Sequence, residues 1–198
     1  MSERRRFQRP LGERRYRKLF VIAAEGSVTE RQYFSVFNKE ASVVWVDCLK
    51  AKKRSSPPQV LQRMEDRLKK EALKNSDEAW LVVDKDKWSD EQLVVLLAWS
   101  QKAENYGFAL SNPKFEYWLL LHLEDGAGIA SSGDCSARLK RHWPDYDKSI
   151  DSRKITPERV NDAIRRAKRR DTPPCVDWPR VLGGSTVYRL IEKILEVE

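Results

Sequence analysis

Two uninterrupted runs of apolar residues each stop at a carboxylate. Leu19-Phe20-Val21-Ile22-Ala23-Ala24 ends on Glu25-Gly26, and Ala79-Trp80-Leu81-Val82-Val83 ends on Asp84-Lys85-Asp86. A run of this length without polar alternation reads as a strand buried on both faces, as in a parallel sheet. Open sheets of that kind bind ligands at their strand carboxyl ends, so acids at these stops point to a divalent-metal site. If the chain stays extended through Asp84-Lys85-Asp86, both aspartates face one side about 6.6 Å apart and Lys85 faces away. With the Glu25 strand alongside, roughly 4.8 Å off, three carboxylates converge and repel, and a hard cation such as Mg²⁺ relieves the repulsion. Each half also has a plainer reading. Asp-x-Asp after a strand is a common solvated turn, which Lys85 and Lys87 could neutralise, and Gly26 could serve only the turn into a helix.

The segments between the runs set the class. Strands are expected at 19–24, 43–49, 79–83 and 108–110. Helices are expected from Val28 to about Asn38, from Gln59 to about Lys74, and from the Leu93 region to Tyr106-Gly107, with Gly107 as the C-terminal cap. This βαβαβαβ alternation predicts an α/β fold with a compact parallel four-stranded sheet, its crossovers supplied by the helices. An apolar helix carrying Phe115, Trp118, Leu119, Leu121 and Leu123 follows, then a Gly/Ser-rich loop over 125–134. Helices at 157–170 and 185–198 flank a Pro-rich connection. The expected organisation is a basic arm over 1–18, an α/β core over 19–124 and a helical extension over 125–198.

Charge adds a partner. Lys and Arg number 38 against 30 acidic residues, a net charge of +8, which is the footprint of a phosphate-backbone binder. Arg14, Arg15, Arg17 and Lys18 belong to an arginine-rich start, and Arg165, Arg166, Arg169 and Arg170 crowd a late helix. With Lys85 and Lys87 these are the candidate nucleic-acid contacts, although basic tails also serve only as solvated surface. The three cysteines are far apart and two histidines are too few for zinc, so reduced structural thiols are expected. No stretch approaches the roughly 20 apolar residues of a membrane span, and the basic start lacks a signal-peptide segment, so a cytoplasmic protein is expected.

Three ordered blocks carry a family resemblance. Ala24-Glu25-Gly26-Ser27-Val28-Thr29-Glu30 with Tyr33-Phe34 resembles the EGxxTExxYF opening of RloB-like proteins. Val82-Val83-Asp84-Lys85-Asp86 resembles their hydrophobic-DxD segment, and Ser111-Asn112-Pro113 through His122 is similar to their SNPxFExWLLLH signature. Arg31 departs from the pattern, where many relatives have proline. The resemblance implies a Toprim-like fold with a helical C-terminal extension, Glu25 as the conserved glutamate and Asp84 and Asp86 as the aspartate pair. It implies Mg²⁺ or Mn²⁺ as cofactor, nuclease chemistry on DNA or RNA, and a role in prokaryotic anti-phage defence beside an ABC-type ATPase partner.

In that mechanism Asp84 and Asp86 hold the metal, and Glu25 ligates it or acts as general acid/base. Glu116, at the start of the helix after the fourth strand, is a fourth catalytic candidate, or a cap. Asn112 is a supporting residue that caps that helix or meets substrate. His122, set among leucines, is expected in the core. The rivals are a phosphotransferase with a nucleophilic Asp84 and a non-catalytic nucleic-acid-binding or regulatory subunit. Position counts against the first, since its DxD belongs on the first strand.

Overall fold

The computed structural model describes residues 17–51, 55–86 and 88–197. Four strands run parallel: β1 (Lys18–Ala24), β2 (Val44–Cys48), β3 (Glu78–Asp84) and β4 (Tyr106–Asn112). A fifth, β5 (Gly184–Ser185), pairs antiparallel with the outer edge of β4, giving the order β2-β1-β3-β4-β5. The sheet therefore has one strand more than the sequence pattern predicts. Two residues without apolar periodicity give no strand signal; β5 exists because Ser111 Oγ meets Ser185 Oγ at 2.9 Å and Leu110 exchanges bonds with Thr186. The short strand also covers a sheet edge that would otherwise offer unpaired backbone groups. This mostly parallel α/β arrangement is compatible with a Toprim-like fold.

Helices cover both faces, as the doubly apolar strands require. Alternate residues of β1 face opposite layers. Phe20, Ile22 and Ala24 pack with α1 (Thr29–Ser35), α4 (Phe115–Leu120), α6 (Pro157–Arg170) and α7 (Val187–Leu195). Val21 and Ala23 pack with α2 (Pro57–Lys70) and α3 (Asp90–Ser100). Local chemistry sets the starts of the covering helices. Gln59 and Gln92 accept from the backbone N–H groups of Ser56 and Ser89, and Thr156 accepts from Arg159 N–H, with proline in the first turn of α2 and α6.

Two expectations fail for identifiable reasons. Gly107 lies inside β4 opposite Trp80, not at a helix end, and a Cβ there would collide with the Trp80 ring. The glycine makes room for the indole, so a helix cap and a strand vacancy look alike in sequence. The Gly/Ser-rich stretch enters α5 (Ser132–His142), which begins where the Ser131 hydroxyl accepts from Asp134 N–H. Cys135 and Leu139 bury its inner face. Among the described residues no helix is long and apolar enough to cross a membrane.

Candidate active site

The carboxyl ends of β1 and β3 lie side by side, and the ladder continues one residue past β1, where Glu25 N–H donates to Val82 O at 3.0 Å. That pairing fixes the Glu25 side chain against the end of β3. One of its oxygens, Oε2, accepts from Asp84 N–H at 3.3 Å and from the Trp88 indole N–H at 3.0 Å. Asp84 reaches in the other direction: its Oδ1 accepts from Phe115 N–H, the first residue of α4, at 2.8 Å. The two acids expected from the strand stops are thus adjacent and oriented by backbone groups.

A third carboxylate, absent from the expected site residues, joins them. Glu30 opens α1 and its Oε1 accepts from Gly26 N–H at 2.9 Å, folding the first helical turn back on the strand end. A side chain at position 26 would occupy the space of the Glu30 carboxylate and displace it from this bond, so Gly26 permits the close approach. Glu116, in the first turn of α4, completes the group, and its Oε1 accepts from the Tyr146 hydroxyl at 3.3 Å. Glu25, Glu30, Asp84 and Glu116 all face one cavity of about 90 Å³, with Lys148 at its wall.

Crowding acids around a small, largely buried cavity disfavours their ionised forms. Burial, with Glu116 and Glu25 nearby, pushes the Glu30 carboxyl up to about 7 despite its backbone bonds. Burial, then Glu30, Glu25 and Glu116, hold Asp84 well above the usual carboxylate range. The donor set is all oxygen, which suits a hard cation. Among the described residues, no three His, Cys, Asp or Glu side chains form a ready-made metal-holding group. That still fits Mg²⁺, which keeps several waters and takes only one or two protein carboxylates.

Asp86 is placed elsewhere. The chain does not stay extended after Asp84: Asp86 has φ +26°, its N–H donates to Pro113 O, and its side chain is exposed and outside the cavity wall. Lys85 braces the same turn, donating to Trp88 O at 2.6 Å and pairing with Asp90 at 3.1 Å. Asn112 does not cap α4, whose N-cap is Lys114; its amide donates to Pro179 O and ties β4 to the segment before β5. His122 is buried, bonded to Trp118 O and the Tyr33 hydroxyl, and burial lowers it to about 4, consistent with a core role.

The basic candidates are dispersed. Lys18 pairs with Glu78 at 2.6 Å and Arg17 donates to Glu40 O, at the amino ends of the strands. Lys18 and Ala24 stand at opposite ends of β1, roughly 20 Å of extended chain apart. Arg166 donates to Leu121 O and Arg170 to Gly183 O, so both brace the fold. Arg165 pairs with Asp162, and Arg169 is exposed. Arg14, Arg15 and Lys87 lie outside the described residues. The cavity's own cation, Lys148, comes from a strap that no sequence motif marked. Thr29 Oγ1 donates to Lys148 O at 2.7 Å and Gln32 accepts from Ile150 N–H at 2.7 Å, across 119 and 118 residues of chain.

A family model of RloB-like proteins matches residues 20–194. The chain belongs to the RloB-like protein family. No curated protein and no solved structure matches it. The RloB-like match takes in all four cavity carboxylates together with Tyr146 and Lys148. The sheet and the strap that closes the cavity thus lie within one family unit.

Proposed function

We propose that this RloB-like protein hydrolyses phosphodiester bonds in DNA or RNA with Mg²⁺ or Mn²⁺. The observation that carries the reading is the group of four carboxylates around one small cavity at adjacent parallel strand ends, two of them held less acidic than an ordinary carboxyl group. Such a group is costly to fold and gains its use when a cation enters. Asp84 and Glu25 are the primary candidates to hold the ion, with Glu30 and Glu116 completing its surroundings. Once bound, a divalent ion supplies charge to the phosphate oxygens and acidifies a water.

The residues of the chain do the rest. Trp88 and the Asp84 N–H hold Glu25 in one orientation, and Tyr146 does the same for Glu116. Glu30, its carboxyl pushed up to about 7 by burial, is in the range where a carboxyl group can both give and take a proton. Lys148 at the cavity wall offers a positive charge to the substrate phosphate. A nucleophilic Asp84 is disfavoured as an alternative because Asp86 is turned out to solvent and cannot serve as its acid/base partner.

Family resemblance extends the proposal to an effector of anti-phage defence working with an ABC-type ATPase, for which gene neighbourhood is a direct check. The chemistry is tested by incubating purified protein, alone and with that ATPase, with single- and double-stranded DNA and RNA in Mg²⁺, Mn²⁺ or EDTA. Cleavage confined to the metal-containing reactions is expected. Equal cleavage in EDTA overturns the mechanism, and nucleic-acid binding without cleavage under every condition favours the non-catalytic subunit.

A further inference from the structure

A second and larger cavity, about 360 Å³, adjoins the first. Ser27 and Val28 line both, so the two are neighbouring compartments divided only by the turn between β1 and α1. The far compartment is bounded by α1 on one side and the outer strand β2 on the other, and its volume lies in the range of small-ligand sites. Its polar groups are few and distinct. The Asn38 amide is spent on both backbone groups of Val46, and Gln32 is spent on the strap at Ser149 and Ile150. Cys48, its thiol pushed up to about 12 by burial, is a chemically quiet wall.

Two charged side chains remain available. Arg31 is exposed on α1 and forms no ion pair among the described residues. Asp47 on β2 is held only by a 3.6 Å contact with Arg67, and its side chain is 39% exposed. A guanidinium suits a phosphate, and a carboxylate accepts from the exocyclic amino group of a base. Val28, 46% exposed, gives the dividing turn an apolar surface for a sugar or base.

We propose that this groove is the subsite for the nucleotide flanking the scissile phosphate, with Arg31 on its phosphate and Asp47 on a base that carries an amino group. The assignment rests on the phosphodiester reading of the carboxylate cavity and adds a strand path and a base preference.

The test is binding, which is independent of cleavage. Labelled single-stranded oligo-C and oligo-T or oligo-U are titrated by fluorescence anisotropy with the full chain in EDTA at several salt concentrations. Wild type is expected to bind oligo-C over the amino-free pyrimidines by roughly fivefold or more, the low end for one base contact. Arg31→Ala should reduce the salt slope by about 0.7, the value for one single-strand phosphate, and Asp47→Ala should level the base preference. Circular dichroism melts of both variants check that the fold is kept. An unchanged slope in Arg31→Ala overturns the subsite, as does a base preference that survives Asp47→Ala or a wild type that binds no oligonucleotide. A protein that cleaves nothing but shows both variant effects retains the subsite while losing the nuclease reading.

Discussion

Buried acids stand at both ends of the β1–β3 pair, and the two ends treat them in opposite ways. At the amino end Asp77 and Glu78 are 5% and 7% exposed. Glu78 pairs with Lys18 and accepts from the Trp80 indole, while Asp77 accepts from the backbone N–H groups of Leu19 and Lys74. At the carboxyl end Glu25 and Glu30 are just as buried, at 7% and 5%, yet the acids there face one another. Among the described residues none of Glu30, Asp84 and Glu116 enters an ion pair. Similar burial with unequal charge pairing separates acids that hold the sheet from acids that, on the proposed function, would hold a ligand.

The largest expected effect breaks the carboxyl end. Asp84→Asn keeps an oxygen for Phe115 N–H but removes the charge. Cleavage should fall by roughly 10²–10⁴-fold, the scale of losing a catalytic acid/base or charge-bearing group. The melting temperature in EDTA should hold or rise, because the repulsion with Glu25, Glu30 and Glu116 is relieved. A variant that loses activity by unfolding would place Asp84 with the structural acids instead.

The amino end should behave in reverse. Lys18→Met keeps the apolar stem and leaves the Glu78 carboxylate with the Trp80 indole as its remaining side-chain partner. Stranding a largely buried charge in this way costs about 1–3 kcal/mol. The melting point should drop while the metal dependence of cleavage stays as in wild type. Thermal melts of the two variants side by side, with and without Mg²⁺, read the comparison directly.

How far sequence could anticipate this contrast depends on distance along the chain. The four parallel strands were legible because continuous apolar runs have few other uses, and Glu25 and Asp84 because they stop two such runs. Glu30 lies in the same opening motif and went unassigned, since only the i to i+4 bond from Gly26 turns it back into the cavity. Asp86 joins the cavity acids only if the chain stays extended after Asp84, and its positive φ removes that condition. The strap was out of reach. Tyr146 and Lys148 meet Glu116 and Thr29 through tertiary packing across 30 and 119 residues, and no periodicity encodes that.

Acidity gives a finer probe of the carboxyl end. Glu30 is raised from 4.5 to about 7, and Asp84 is raised as well, so the folded protein holds protons that the unfolded chain releases. The Glu30 contribution to stability is full below about pH 4.5 and is lost as pH rises through 7, and Asp84 adds a loss of the same sign. His122, lowered to about 4, has the opposite slope below its ordinary value of 6.5, so the difference between wild type and Glu30→Gln isolates the acid. In EDTA the wild-type melting point should fall relative to Glu30→Gln between pH 5 and pH 8. Added Mg²⁺ should stabilise the wild type more at pH 8 than at pH 5, because protons and the cation compete for the same oxygens. Parallel curves for the two proteins would show that Glu30 is not part of the repelling group.

The smallest effect concerns the strap. Lys148 has φ +79°, in the left-handed region that costs a residue with a side chain about 1–2 kcal/mol, and it is exposed, so core packing does not explain the choice of lysine. Lys148→Gly removes that cost but adds backbone entropy to the unfolded chain, for a net gain of roughly 0.5–1 kcal/mol. In a chain of this size that is a rise of about 1–4 °C in melting temperature. Lys148→Ala removes the same ammonium while keeping a Cβ, so it should gain nothing. If the ammonium meets the substrate phosphate, both variants should bind oligonucleotide more weakly and with a shallower salt slope, and Lys148→Arg should restore the slope without the stability gain. Glycine and alanine variants that bind as wild type would return Lys148 to the solvated surface and leave the carboxylate cavity without a cation of its own.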